Sequence, residues 1–166
     1  MKNYSILLFI LAITGCSDGD LQIEALDFDN VVAQNCGALN TGTEIFFKIN
    51  GDETLILDLQ TGLLQNEVST DTITSSIPNQ SQLTYRLFSD NITSSYFCDS
   101  IPPTTPTVIE EIEATAGTIL ITTTTLDSVT FTHNIQFQGL ILVNASGESI
   151  IDLTTNDFDS VDTSVN

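Results

Sequence analysis

Alternation of side-chain type between Thr118 and Phe137 constrains the fold more than any other feature of the chain. Ile119 and Ile121 share one face of the segment from Thr118 to Thr125, which is otherwise mostly threonine, and Leu126-Asp127 then predicts a turn. After the turn, one face carries Val129, Phe131, His133, Ile135 and Phe137, while the other is polar. Because successive side chains of a strand point to opposite faces, this pattern predicts two half-buried strands.

Shorter segments repeat the β-strand signal along the chain, and Asn50-Gly51 between two of them predicts a hairpin. No segment has the period of an amphipathic helix. We therefore predict an all-β fold, a single antiparallel β-sandwich over residues 21–156 followed by a polar C-terminal tail at 157–166. The predicted strands besides the two above lie at 21–26, 44–49, 54–59, 82–88, 107–114, 140–143 and 149–153, with at most one edge strand near 67–73.

Tyr96-Phe97-Cys98 resembles the Tyr-x-Cys of the second cysteine strand in immunoglobulin domains, which makes an immunoglobulin-like sandwich one candidate topology. Two features argue against the strict version. The chain has no tryptophan to pack on a disulfide, and the prolines that begin at Pro102 end this segment early.

The N-terminus carries an export signal. Lys2 precedes the apolar run 6–13, which is too short for the ~20 residues that span a bilayer. Ile13-Thr14-Gly15-Cys16 resembles the lipobox of bacterial lipoproteins. The resemblance implies that residues 1–15 are a cleaved lipoprotein signal peptide and that Cys16 is the lipidated first residue of the mature protein.

Ser17-Asp18-Gly19-Asp20 resembles the acidic export signal of Bacteroidota surface lipoproteins. The resemblance implies a Bacteroidota-type outer-membrane lipoprotein, lipid-anchored and displayed at the cell surface. The alternative reading is a plain acidic tether at 16–20 between the lipid and the domain.

The acidic composition of the chain limits the classes of partner that it can bind. Beyond the signal only Lys48 and Arg86 are basic, against 22 acidic residues in the whole chain. Nucleic acid is excluded, because phosphate binding needs clusters of Lys and Arg. Membrane attachment must come from the lipid, and weak calcium binding is a candidate because divalent cations complement carboxylates.

Two cysteines remain once Cys16 carries lipid, and an exported chain meets oxidising surroundings. We therefore predict a Cys36–Cys98 disulfide. The alternative, a nucleophilic or metal-binding thiol, would need a histidine or a basic side chain nearby, and His133 is the only histidine.

No residues specify a chemistry. Asp27-Phe28-Asp29 and Asp157-Phe158-Asp159 echo each other near the two ends of the domain and are candidates for sharing a calcium ion, but neither matches a calcium loop. His133 lies on an apolar strand face, which favours a packed rather than a catalytic histidine, and no Gly-x-Ser-x-Gly elbow is present. We predict no catalytic residues, no metal site and no cofactor.

Four segments resemble the Asp-(Ser/Thr)-apolar sequon for O-glycosylation of exported Bacteroidota proteins, and all adjoin predicted turns or loops. The candidate acceptors are Thr72, Ser100, Ser128 and Ser160. Together these features predict a non-enzymatic interaction, structural or accessory module with a protein or glycan partner. The alternatives are an envelope hydrolase acting on surface polysaccharide or protein, and a calcium-stabilised adhesin unit.

Overall fold

Strands dominate the computed structural model, which describes residues 26–147, 149–150 and 157–165. The predicted signal peptide, the lipidated cysteine and most of the predicted strands at 21–26 and 149–153 lie outside these residues. The elements are β1 (Ile45–Asn50), β2 (Glu53–Asp58), β3 (Ile73–Ile77), β4 (Gln82–Phe88), α1 (Ser95–Cys98), β5 (Val108–Thr125), β6 (Thr130–Val143), β7 (Ser149–Ile150) and β8 (Asp157–Ser164).

Every strand pair is antiparallel. The strands follow the order β1-β2-β4-β5-β6-β7, with β3 also on β5 and β8 also on β6. The sheet curls into a half-barrel, which confirms the all-β, sandwich-like class. The Asn-Gly hairpin is confirmed as well: Gly51 has φ +68°, the left-handed conformation that two-residue hairpin turns require.

β5 links the two halves of the sheet. Its first half pairs with β4, and its second half pairs with β3 on one edge and β6 on the other. The sequence predicts two strands here, at 107–114 and 118–125. They are one strand because Gly117, at φ +147°, turns the backbone through a bulge without ending it.

The core fills the inside of the curl. Its side chains come from both halves of the sheet and include Leu57, Leu83, Ile119, Ile135 and Leu142. They form one continuous apolar cluster with Phe28, which precedes β1, and Phe158 of β8. The two ends of the described chain therefore close the same core.

Four further local expectations are wrong. The strand predicted separately at 140–143 is the last part of β6, which continues through Gly139. The predicted tail at 157–166 contains β8, which pairs with β6. The edge strand expected near 67–73 is β3 at Ile73–Ile77. Tyr96, Phe97 and Cys98 lie in the single turn α1 rather than in a strand, so they do not form the immunoglobulin cysteine strand. No helix in the described part of the chain is long and apolar enough to cross a bilayer.

Candidate functional site

β1, β2 and β4 have a second face that points away from the core, and we call it the outer face. The register aligns Phe47 of β1, Ile56 of β2 and Thr84 of β4 in one row across this face. β1 reads Ile-Phe-Phe-Lys-Ile, apolar on both sides, so its outer side also needs cover. The chain supplies that cover over half of the outer face only.

Two segments enclose Phe47, one beside β1 at the edge of the sheet and the other over the Phe47 ring. From one, Gln34 exchanges both backbone hydrogen bonds with Phe47 at 2.8 Å. From the other, Phe97 of α1 stacks on the Phe47 ring with centroids 4.4 Å apart, and Tyr96 packs edge-on against Phe88 at 4.7 Å. Phe47 is consequently fully buried on the side away from the core.

The Cys36–Cys98 disulfide joins these two segments, with a Cα–Cα distance of 5.3 Å. The predicted pairing is thus confirmed. Because each cysteine belongs to a different segment, the bond joins the segment beside β1 to the one that lies over the Phe47 ring.

The uncovered half of the outer face is a groove of about 730 Å³, within the range of small-ligand sites. Strand residues form its floor, and the disulfide-linked segments form its wall. Its apolar side chains are Ile45, which is 53% exposed, together with Ile56 and Phe97. The lining also includes Asn40, Thr43, Glu44, Asp58, Gln82, Thr84, Arg86 and Glu113.

Three polar side chains of the groove already donate to partners within the described chain. The Arg86 guanidinium forms an ion pair with Glu111. The Gln82 side-chain amide donates to the carbonyls of Leu83 and Ala114 at 2.8 and 3.2 Å. The Asn40 amide donates to the Ala38 carbonyl at 3.1 Å.

Acceptors in the groove are more available. The carboxylates of Asp58 and Glu113 have no hydrogen bond or ion pair to any of the described residues, and both side chains are exposed. Glu44 accepts one hydrogen bond, from Thr61 Oγ1 at 2.5 Å. The groove therefore offers free negative charge beside exposed apolar surface.

A second polar feature lies on the core side of β1, where the two Asp-Phe-Asp segments meet around Lys48. Lys48 is only 2% exposed. Its Nζ donates to the Phe28 carbonyl at 3.0 Å and lies 5.2 Å from the centroid of the Phe158 ring. The Asp159 carboxylate accepts from the Ala33 backbone N–H at 2.6 Å, which ties the segment before β1 to β8.

Burial lowers the pKa of Lys48, while the nearby negative charges of Asp159, Asp157 and Asp29 act in the opposite direction. The same three aspartates line a hollow of about 360 Å³ with Lys48. The echoing segments are thus brought together, but around an ammonium group that already supplies positive charge. Within the described residues no group of three or more His, Cys, Asp or Glu side chains is arranged to hold a metal ion.

His133 is fully buried and holds two hydroxyls. Its Nδ1 lies 2.8 Å from Thr123 Oγ1 and its Nε2 lies 2.7 Å from Thr163 Oγ1, which in turn donates to Asn66 Oδ1 at 2.5 Å. Burial lowers the pKa of His133. It is a packed histidine that links β5, β6 and β8, as its position on an apolar face predicts.

The four candidate glycosylation acceptors are all exposed. Thr72, Ser100 and Ser128 lie outside the strands, whereas Ser160 lies within β8 and not in a loop. Ser128 follows Asp127, whose carboxylate accepts the backbone N–H groups of Val129 and Thr130 and so shapes the turn. Modification at these four residues stays a prediction.

Comparison with known proteins returns no matching family model, no matching curated protein and no matching solved structure. The site must therefore be interpreted from its own residues. Sequence reasoning did not find the groove or the burial of Lys48. One available signal was Ile56, an apolar residue on the face of β2 that Thr54 and Asp58 would otherwise make polar.

Proposed function

We propose that the protein is a non-catalytic interaction module of the cell envelope, anchored through Cys16, that binds a partner in the groove on its outer face. The observation that carries this proposal is the groove itself: exposed Ile45 and half-buried Ile56 lie beside carboxylates without partners, next to a wall that the disulfide links. Exposed apolar surface rimmed by polar groups is typical of binding sites.

Acid–base catalysis is not favoured by the chemistry of the groove. Catalytic sites commonly hold groups whose pKa values are strongly shifted by burial and by neighbouring charge. Lys48 and His133, whose pKa values burial lowers, are both enclosed by the core and do not line the groove. Binding is therefore the better-supported role.

The anchoring part of the proposal rests on the lipobox-like residues and is supported by the disulfide. Disulfides persist in oxidising compartments such as the bacterial periplasm and the cell surface. Proteinase K treatment of intact cells tests whether the domain faces the medium. The native chain is compared with a variant that replaces Ser17, Asp18 and Asp20 by alanine. Loss of the native domain with survival of the variant supports surface display, and survival of both while a surface control is digested contradicts it.

Photo-crosslinking tests the binding role. The full chain is expressed in intact cells with p-benzoylphenylalanine in place of Thr84 on the groove floor, or in place of exposed Thr124 near the far end of β5 as the matched control. We expect covalent adducts at position 84 that are absent at position 124. Equal adducts at both positions, or none at position 84, would contradict a partner in the groove.

A further inference from the structure

From the charge and hydrogen bonding of the groove, we infer that its partner is a peptide segment with basic side chains flanking an apolar one. This inference rests on the proposed binding role of the groove and adds the chemistry of the ligand.

The groove repels anions. Its lining contains the carboxylates of Glu44, Asp58 and Glu113, and its one basic side chain, Arg86, is paired with Glu111. The whole chain has a formal net charge of −19. A phosphorylated, sulfated or uronic-acid ligand would find the one cation of the groove already paired and would be repelled by its three carboxylates.

The pattern of used and unused hydrogen-bonding groups identifies the complementary chemistry. The Gln82 side-chain amide donates to two backbone carbonyls and the Asn40 amide to one, whereas the Asp58 and Glu113 carboxylates, which can only accept, have no partner among the described residues. A ligand that supplies donors would satisfy these two carboxylates. Ammonium and guanidinium groups are donors that also neutralise the two carboxylates.

The spacing on the sheet matches an extended peptide. Asp58 lies opposite Gln82 on β4, and Glu113 lies opposite Thr84 across the other edge of β4. From strand spacing and rise, the Cα atoms of the two acidic residues are roughly 12 Å apart. In an extended peptide, residues four positions apart are separated by about 13 Å. Basic side chains at the first and fifth positions would reach both carboxylates.

The apolar requirement comes from the two isoleucines. Ile45 lies directly opposite Asp58, and Ile56 lies opposite Thr84, so apolar surface adjoins the carboxylates on the β1 side. An aliphatic side chain placed between the two basic ones would cover part of this surface. Burial of that surface would add affinity that charge alone does not provide.

The test measures binding of the peptide Ac-Lys-Ser-Leu-Ser-Lys-NH2 to the full chain by calorimetry, and locates it by amide chemical-shift changes. Asp58→Asn/Glu113→Gln is compared with Glu67→Gln/Asp71→Asn, which removes the same charge from exposed positions outside the groove. We expect the groove pair to weaken binding by roughly 2- to 30-fold, the combined effect of two exposed ion pairs. The control pair should change the dissociation constant by less than about twofold, because distant charges are screened.

Two further peptides separate charge from burial. Ac-Glu-Ser-Leu-Ser-Glu-NH2 should not bind, and Ac-Lys-Ser-Ser-Ser-Lys-NH2 should bind more weakly than the leucine peptide. Equal weakening by both double variants would mean non-specific attraction and would overturn the inference.

The outcome is read together with the crosslinking at position 84. Adducts there, combined with peptide binding that ignores Asp58 and Glu113, overturn the ligand class while the binding role stands. Recovery of a neutral glycan in those adducts does the same. Absence of both adducts and peptide-induced shifts in the groove overturns the two proposals together.

Discussion

Replacing Cys36 and Cys98 with serine removes the covalent link between the two segments that cover β1. The two cysteines are 62 positions apart. In the chain-entropy relation, a loop of that length contributes about 4 kcal/mol to the free energy of unfolding, because the cross-link restricts the unfolded chain. We expect the double variant to be less stable by about that amount.

Urea unfolding followed by far-UV circular dichroism measures this change. Cys16→Ser is included in both proteins so that a third thiol cannot exchange with the disulfide. The oxidised and reduced forms of the parent provide a second comparison that changes no other side chain. Reduction should lower the stability of the parent by a similar amount and should leave the variant unchanged.

A loss below about 1 kcal/mol would refute the reasoning from loop entropy. Such a result would mean that the cross-link restricts the unfolded chain less than the relation assumes, because that chain retains structure of its own. Hydrogen exchange provides a local check, since the Phe47 amide is bonded to the Gln34 carbonyl beneath the cover. If the cover opens separately in the variant, exchange at Phe47 should rise while exchange at Leu57 in the core stays slow.

Three further predictions concern the interior. Because burial lowers the pKa of Lys48, the folded chain binds fewer protons than the unfolded chain as pH increases toward 10.5, and its free energy of unfolding should rise over that range. The Lys48→Met variant should show a smaller rise. Curves of unfolding free energy against pH that run parallel for the two proteins would contradict this. Burial also lowers the pKa of His133, so the free energy of unfolding of the native chain should fall as pH falls below 6.5. The His133→Gln variant should lose less of its unfolding free energy over the same pH range, measured by urea titration. An equal loss in both proteins would mean that other groups cause the effect. Gly117→Ala should destabilise by about 1–3 kcal/mol, since φ is +147° and a Cβ would lie 3.3 Å from Leu140 Cα. Gly62→Ala should destabilise the protein less than Gly117→Ala in thermal unfolding, since φ is +83° but the space around the added carbon is open. Equal destabilisation by the two variants would mean that backbone strain alone, without the contact to Leu140, explains the effect.

The alternation of apolar and polar residues along the sequence was sufficient to predict a strand where one strand face meets the core and the other meets solvent. The first part of β6 has this form, with Phe131, Ile135 and Phe137 buried on one face. The alternation then breaks at Gly139, before the buried Leu140. It fails for β8, where Phe158 and Val161 are three positions apart and both buried. A register shift in the β6–β8 pairing breaks the alternation, and nothing local marks that shift.

The groove was beyond sequence reasoning for a different reason. Asp58, Thr84 and Glu113 are ordinary surface residues of three separate strands, and only the strand order brings them onto one face. Similarly, the segment around Phe97 has no helical period. It becomes one turn of helix because the disulfide and the Phe47 ring hold it against β1.

The placement of the basic side chains connects the fold with the proposed ligand. In the part of the chain that the structure describes, Lys48 is enclosed by the core and Arg86 is paired with Glu111, so neither presents a free cation to a partner. His133 is buried and its pKa is lowered, so it does not supply one either. The exposed carboxylates of the described residues therefore have almost no cations to offset them. Because attraction between opposite charges accelerates encounter and salt screens it, association with a basic peptide should be fast and should slow as ionic strength rises. In the proposed complex, the isoleucines of the groove together with Asp58 and Glu113 distinguish the groove from the other acidic parts of the surface.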